Sequence, residues 1–324
     1  IILKTSHDSS QLVMQTELRL RKAVDALLDS YHSHPEIQSI GCTGLPARES
    51  IVQLANDLQV LLFPGLLRQE QLDAISLPYW LGQKSASIFY RLRDYLEQVI
   101  CWQSRQEGLP RPPVGACSER AEEISLNLLE TLPEMREVLA EDVEATFAGD
   151  PAANDRKEIV LAYPGIHALS IYRIAHFLHN YEIPLMPRIL SEHVHSLTGI
   201  DINPGAWIGR GVMVDHGTGI VIGGTAVIHD QVRIYQGVTL GAFSPIQHKN
   251  EPHFKRHPTI ERETIIYAGA TILGGNTVVG ARSIIGGNVW LTQSVPPDSR
   301  VYIQEPGQQR TEVRAGLEMR PTGT

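Results

Sequence analysis

Cysteine is scarce in this chain, and what there is cannot build a framework. Cys42, Cys101 and Cys117 stand far apart among 324 residues. Widely spaced and odd in number, they indicate neither a disulfide scaffold nor paired thiolate ligands for a structural metal, and a reducing cytoplasm is the expected compartment. Excess positive charge is also absent: 28 Lys and Arg stand against 36 Asp and Glu, a formal net charge of -8. Without surplus cations to displace counterions from phosphates, nucleic-acid binding is not expected. No apolar run approaches the roughly 20 residues that span a bilayer. The opening residues, "IILKTSHDSSQ", hold neither an adequate apolar h-region nor a cleavage site, so neither membrane insertion nor secretion is expected. What remains is 42% hydrophobic and 20% charged residues, the composition of a soluble globular protein long enough for one large domain or two ordinary ones, with small-molecule chemistry as the better prior.

Residues 1–199 read as a helical domain with breaks. Ile51, Leu54, Ala55, Leu58, Leu61 and Leu62 follow helical spacing and stop at "FPG", and Ile88, Leu92, Tyr95, Leu96 and Val99 repeat the pattern. The stretch "GLPRPPVGA" at 108–116 cannot continue a helix, because its prolines lack amide donors and fix φ, so a hinge or subdivision is expected there. Further helix is expected from about Ser118 to Phe147, then in "PGIHALSIYRIAHFLHN", where Ile171, Ile174, Phe177 and Leu178 form an apolar face. His167, His176, His179, His193 and His195 read as packed or surface helix residues, since their neighbours at helical spacing are ordinary core side chains.

The period changes after Gly199. Ile202, Ile208, Val214, Ile220, Ala226, Val232 and Val238 stand six apart, and Ile260, Ile266, Ile272, Val278, Ile284 and Trp290 resume the step after an interruption. A fixed hexad marks a parallel β-helix, in which three short strands close one coil of a triangular prism. The opening aliphatic of each hexad is expected to point inward, with Gly, Asn and Asp at the corners. The prism is assigned to 200–303 and a C-terminal tail to 304–324. The polar segment at 244–259, "SPIQHKNEPHFKRHPT", has no hexad register and is expected to leave the prism as an extruded loop.

Two clusters stand out against the repeat. Asp215 and His216 interrupt the aliphatic pattern, and Asp201, about one coil earlier, is placed to approach His216 from a neighbouring coil. A carboxylate beside an imidazole fixes its tautomer and supports it as a general base. Spacing alone leaves it equally open that the two aspartates turn corners and His216 is solvated. In "FKRHP", Arg256 offers a fork for a carboxylate and His257 a second donor, against the plainer reading of a solvated basic loop. His248, His253 and His257 crowd one loop but lack carboxylate or Cys partners at ligand spacing, so no metal is expected.

At this point a family resemblance takes hold. "DPAANDRKEIVLAYPGIHALSIYRIAHFL", "DINPGAWIGRGVMVDHGTGIVIGGTAVIHDQVRIYQGVTLGA", "KRHPTI" and "AGATILGGNTVVGARSIIGGNVWL" together resemble serine O-acetyltransferase, over roughly residues 140–300. The resemblance implies an α+β architecture, an N-terminal all-α domain followed by a left-handed parallel β-helix of hexapeptide repeats. It implies transfer of the acetyl group of acetyl-CoA to L-serine, the first step of cysteine biosynthesis, by direct attack. His216 would be the general base and Asp201 its orienting partner. Asp150 and Asp215 would hold the amino acid's ammonium, and Arg256 and His257 its carboxylate. Gly241, Ala268 and Gly287 are the candidates for backbone contact with acetyl-CoA, and L-cysteine is implied as an inhibitor. A homotrimer, or a dimer of trimers, is the implied assembly. The sequence departs from the family pattern in four places, one of them the usual "AGVPAR" element missing after "SVPPDSRVYIQEPG". The loop before "RHP" is longer, Tyr267 stands where glycine is usual, and the tail ends "RPTGT" without the terminal isoleucine that docks into cysteine synthase, so that complex is not expected. Three other readings stay in view: a hexapeptide acetyltransferase for homoserine or a sugar, a metal-dependent β-helix hydratase, and a non-catalytic scaffold. The scaffold would have no need of Asp201, Asp215 and His216 together.

Overall fold

The computed structural model describes residues 5–38, 44–106, 113, 115–243, 254–305 and 308–313. The chain divides into two compact units, Ile1–Gly44 and Leu45–Thr324. The first holds helix α1 (Thr5–Ser33), a stretch free of Gly and Pro, and a 3-10 turn at Pro35–Ile37. The remaining helices share their unit with the β-helix, so the compact units do not divide at residue 199.

In the second unit α2 (Arg48–Leu62) buries Ile51, Leu54, Ala55, Leu58, Leu61 and Leu62 and ends where Phe63, Pro64 and Gly65 begin. The next helices are α3 (Ser76–Gln106) and α4 (Ala116–Gly149), the second carrying Pro133 within it. Ile88, Leu92, Leu96 and Val99 of α3 are buried, as their spacing predicts. Most of the predicted hinge at 108–116 lies outside the described residues. Three shorter helices follow: α5 (Arg156–Ala162), α6 (Pro164–Asn180) and α7 (Met186–Thr198), the last closed by Gly199 at φ 72°. Pro164 opens α6, where its missing amide donor costs nothing.

Among the described residues, thirteen short strands then wind the prism: β1 (Asp201–Ile202), β2 (Trp207–Ile208), β3 (Met213–Val214), β4 (Val221–Ile222), β5 (Val227–Ile228), β6 (Arg233–Ile234), β7 (Thr239–Gly241), β8 (Thr259–Ile260), β9 (Ile265–Ile266), β10 (Thr271–Leu273), β11 (Val278–Val279), β12 (Ile284–Ile285) and β13 (Trp290–Leu291). They pair in parallel into three faces. One carries β1, β4, β7, β10 and β13, the second β2, β5, β8 and β11, and the third β3, β6, β9 and β12. The third face continues into β14 (Ser299–Glu305), which pairs antiparallel with β15 (Gln308–Val313). A strand thus stands in what was expected to be tail; 314–324 lie outside the described residues. The interruption leaves the prism between β7 and β8; of the expected loop at 244–259, residues 244–253 are outside the described residues, and Thr259 has already entered β8.

The hexad register needs correction in two places. The inward strand residues are Ile202, Ile208 and Val214, then Ile222, Ile228, Ile234 and Leu240, so the step from Val214 to Ile222 is eight residues. The count of six survives from Val214 to Ile220 because each coil also buries a residue two positions before its strand aliphatic, and Ile220 takes that place. Two extra residues therefore turn the corner occupied by Asp215 and His216. Past Ile272 one more residue enters, and Val279, Ile285 and Leu291 line the core. Trp290, expected inside, is 62% exposed. Hydrophobicity cannot reveal a corner insertion when aliphatics flank it on both sides.

A buried ion pair ties the helices to the first coil. Arg173 Nη2 of α6 reaches Asp142 Oδ2 of α4 at 2.6 Å and donates to the Gly209 carbonyl at 3.0 Å, while Asp142 Oδ1 accepts the Val212 N–H at 2.9 Å. Two glycines allow close approach beside it. A Cβ on Gly149 would stand 2.3 Å from Met213 Sδ, and one on Gly165 would stand 2.1 Å from the Val214 carbonyl oxygen. The chain on either side of α5 is thereby pressed against β3.

Candidate active site

Those contacts assemble the first cluster. Asp150 follows Gly149, Tyr163 comes two residues before Gly165, and Asp215 follows Val214, so both glycine contacts carry polar side chains to the enlarged corner. Asp150 Oδ2 accepts a 2.6 Å hydrogen bond from the Tyr163 hydroxyl, and Oδ1 accepts the Ala152 N–H at 2.8 Å. The Tyr163 bond first, then the Ala152 amide, hold the Asp150 carboxyl below the usual carboxylate range, and His216 adds to the effect. The same bond pushes the Tyr163 phenol up to about 12.

Asp215 is buried and His216 projects outward, its side chain 69% exposed. Asp215 Oδ1 accepts the His216 N–H at 2.9 Å, and Oδ2 lies 3.7 Å from His216 Nε2. The backbone of His216 is left-handed at φ 55°, a conformation that costs a non-glycine residue energy and recurs at functional sites. Gly217 next to it would place a Cβ 2.4 Å from Ile200 Cδ1, so this corner rests on the residue before Asp201. Among the hydrogen bonds and ion pairs of the described residues there is none between His216 and Asp201.

The second cluster lies at the other end of β4. His257 is buried against Gly223, where a Cβ would meet its ring at 2.0 Å. Its Nδ1 accepts the Thr225 N–H at 3.0 Å and lies 2.8 Å from Thr225 Oγ1, which itself accepts the N–H groups of Arg256 and His257 at 2.9 and 3.1 Å. With Nδ1 committed as an acceptor, the ring hydrogen belongs on Nε2. Burial, then the Arg256 and Lys255 charges, drive the imidazole down to about 4, so His257 is a neutral Nε2–H donor at neutral pH. Burial also takes the Lys255 ammonium down to about 8, with its Nζ 2.7 Å from the Thr225 carbonyl oxygen.

One chain therefore holds Asp150, Asp215 and His216 at one corner and Arg256 and His257 at the next. Of the cosubstrate candidates, Ala268 and Gly287 stack on successive coils at the first corner, where the Asn288 N–H reaches the Ala268 carbonyl at 2.9 Å. Gly241 sits at the opposite end of that face, paired with Leu273. Tyr163 and Thr225 were missed in the sequence reading. The clue to Tyr163 was its place before Pro164 and Gly165; Thr225 gave none. His248 and His253 lie outside the described residues, and among the described residues no group of three or more His, Cys, Asp or Glu could hold a metal ion. The helix histidines pack: His176 Nδ1 meets the Pro204 carbonyl oxygen at 2.7 Å, and His167 meets Gln59 at 3.0 Å.

No family model matches the chain. A plasmid-encoded serine acetyltransferase of Synechococcus elongatus is 43% identical over 258 residues, covering 79% of this chain and 81% of the relative. The chain belongs to the serine acetyltransferase family. Serine acetyltransferase isoform 3 of Entamoeba histolytica, solved in complex with cysteine, matches 90% of this chain and 95% of its own with a TM-score of 0.64 and 33% identity. A serine acetyltransferase solved in complex with CoA matches at a TM-score of 0.51, with 27% identity over 82% of this chain and 99% of its own. The helical region followed by a left-handed β-helix is thus the family's architecture. Acetyl transfer from acetyl-CoA to serine, in cysteine biosynthesis, is the family's reaction and this enzyme's. Among the described residues no helix is long and apolar enough to cross a membrane.

Proposed function

We propose that acetyl transfer is direct, with no acyl-enzyme, and that His216 is the general base. The observation that carries this is the corner itself, where two extra residues lift an exposed imidazole beside two carboxylates, Asp215 and Asp150. His216 takes the proton of the serine hydroxyl as its oxygen attacks the thioester carbon. A backbone N–H beside the coil stabilises the oxyanion. When the intermediate collapses, the C–S bond breaks and the imidazolium returns the proton to the departing CoA thiolate, which balances the reaction without an acyl-enzyme. Cys101 and Cys117 belong to α3 and α4, away from this corner. Asp201 is proposed to orient the protonated ring, supported by the contact of Gly217 with its neighbour Ile200.

Asp150 and Asp215 suit the ammonium of serine, and Arg256 with the neutral Nε2–H of His257 suits its carboxylate. Since the two clusters lie at opposite ends of β4, we propose that prisms associate side by side as a trimer, or as a dimer of trimers, so that one subunit's Asp215 corner meets the next subunit's His257 corner. Gly241 would then face Ala268 and Gly287 across the same groove. L-cysteine, which differs from serine only in SH for OH, is proposed to compete at this site. Its thiol ionises far more readily than a hydroxyl and can pair with the His216 imidazolium.

Thiol release from acetyl-CoA, measured against serine, homoserine and a sugar, tests the reading. Serine should be strongly preferred, cysteine should inhibit competitively against it, and a chelator should have no effect. Release driven by another acceptor, or lost on chelation, would replace this reading with one of the alternatives.

A further inference from the structure

A column of side chains climbs the prism from Asp215. The backbone N–H of Asp215 bonds to the Ile234 carbonyl, that of Tyr235 to Ile266 and that of Tyr267 to Ile285, so Asp215, Tyr235 and Tyr267 hold the same place on successive coils. The Tyr235 and Tyr267 rings are stacked, with centroids 5.3 Å apart and planes 13° from parallel. Tyr235 is half-buried, whereas Tyr267 is 43% exposed. Ala268 and Gly287, both small, stand beside the pair on the same corner.

On the other side of Asp215 the way is closed. Gly149 presses the end of α4 onto Met213, and Gly165 presses the start of α6 onto Val214. A ligand longer than serine that reacts at His216 must therefore extend along the later coils. Neighbouring coils stand roughly 4.8 Å apart, which puts Tyr267 about 10 Å along the axis from Asp215. That is beyond an amino acid held by Asp150 and Asp215, but on the path of an elongated thioester donor.

Resting on the acetyl-transfer reading above, we infer that the stacked Tyr235–Tyr267 pair is a binding surface for the arm of acetyl-CoA, with Tyr267 making the contact. An aromatic face offers broad apolar area with a polar hydroxyl at its tip. Because Tyr235 already supports the ring, little rotamer freedom is left to lose when the arm settles.

Two measurements test this on the full-length enzyme: CoA affinity by calorimetry, and KM for each substrate. Tyr267→Ala should weaken CoA binding and raise KM for acetyl-CoA about tenfold, as expected for truncating an anchoring aromatic, while KM for serine stays within about twofold. Tyr267→Phe, which keeps the stacked face but loses the hydroxyl, should weaken CoA binding less than the alanine variant does. If the alanine variant does not fold, Tyr267→Leu carries the same expectation, since it fills the column without an aromatic face. CoA affinity equal to the parent's, or a change confined to serine, would overturn the inference. A parent enzyme that binds CoA but does not acetylate serine would refute the catalytic reading instead, and the calorimetry would still judge Tyr267.

Discussion

The hydroxyl of Tyr163 donates a 2.6 Å hydrogen bond to Oδ2 of Asp150, joining the end of α4 to the residue just before α6. With its phenol pushed up to about 12, Tyr163 remains a donor throughout any ordinary assay range. It thereby keeps Asp150 ionised and aimed at the corner occupied by Asp215 and His216.

Tyr163→Phe should therefore raise KM for serine about tenfold with KM for acetyl-CoA unchanged, in line with the ~1.5 kcal/mol typical of a hydrogen bond to a charged group. Removing the bond also lets the Asp150 carboxyl rise toward its ordinary value, so the acid limb of serine binding, read from the Kd for serine rather than from turnover, should move to higher pH. A limb that stays in place would separate Tyr163 from the charge of Asp150.

His216→Ala should lower kcat by at least about 10²-fold without unfolding the protein, since general-base catalysis contributes roughly 10²–10⁴. His216→Gly should lose as much activity yet equal or exceed the parent in melting temperature, because glycine adopts the observed φ of 55° without strain. Asp201→Asn should cost less than His216→Ala if Asp201 only orients the ring. A silent Asp201→Asn would leave Asp215, 3.7 Å from the imidazole, as the partner.

The helical spacing of Ile51 to Leu62 and the hexads after Gly199 made the order of elements legible, because both are written in which side chains must be buried. The corner insertion at Asp215–His216 was not legible in the same way. Ile220 continues the count of six while changing its role from strand to corner. Asp150, Asp215, His216, Arg256 and His257 could be named from the sequence, but their separation into two clusters at opposite ends of β4 depends on the winding of the coil. Tyr163 and Thr225 escaped because their roles are hydrogen bonds to partners far along the chain or across a loop, which leave no periodic trace.

Asp142→Ala should destabilise the protein by about 3–5 kcal/mol, the usual consequence of leaving a buried charge without its partner. Arg173 would keep only carbonyl acceptors, and the Val212 N–H would lose its bond. Because Asp142 anchors the helix that ends at Asp150, serine binding should weaken along with the melting temperature. A variant that melts like the parent would show that the glycine contacts at Gly149 and Gly165 suffice.

His257 gives stability a pH dependence whose sign follows from its surroundings. Its imidazole is driven down to about 4 in the folded protein, whereas in an unfolded chain it titrates near 6.5. Between those values the unfolded chain binds a proton that the folded one refuses, so stability falls as pH drops from about 6.5 to about 4, by at most roughly 1.4 kcal/mol per unit. Above that window His257 is neutral in both states and contributes no slope. His257→Asn keeps an acceptor for the Thr225 N–H near the place of Nδ1 but removes the titrating ring. Melting temperatures of parent and variant should therefore converge as the pH is lowered through the window, with the variant showing the shallower decline. Parallel curves would mean that His257 accepts a proton within the fold as readily as outside it, and the neutral-donor role given to its Nε2–H would have to be abandoned.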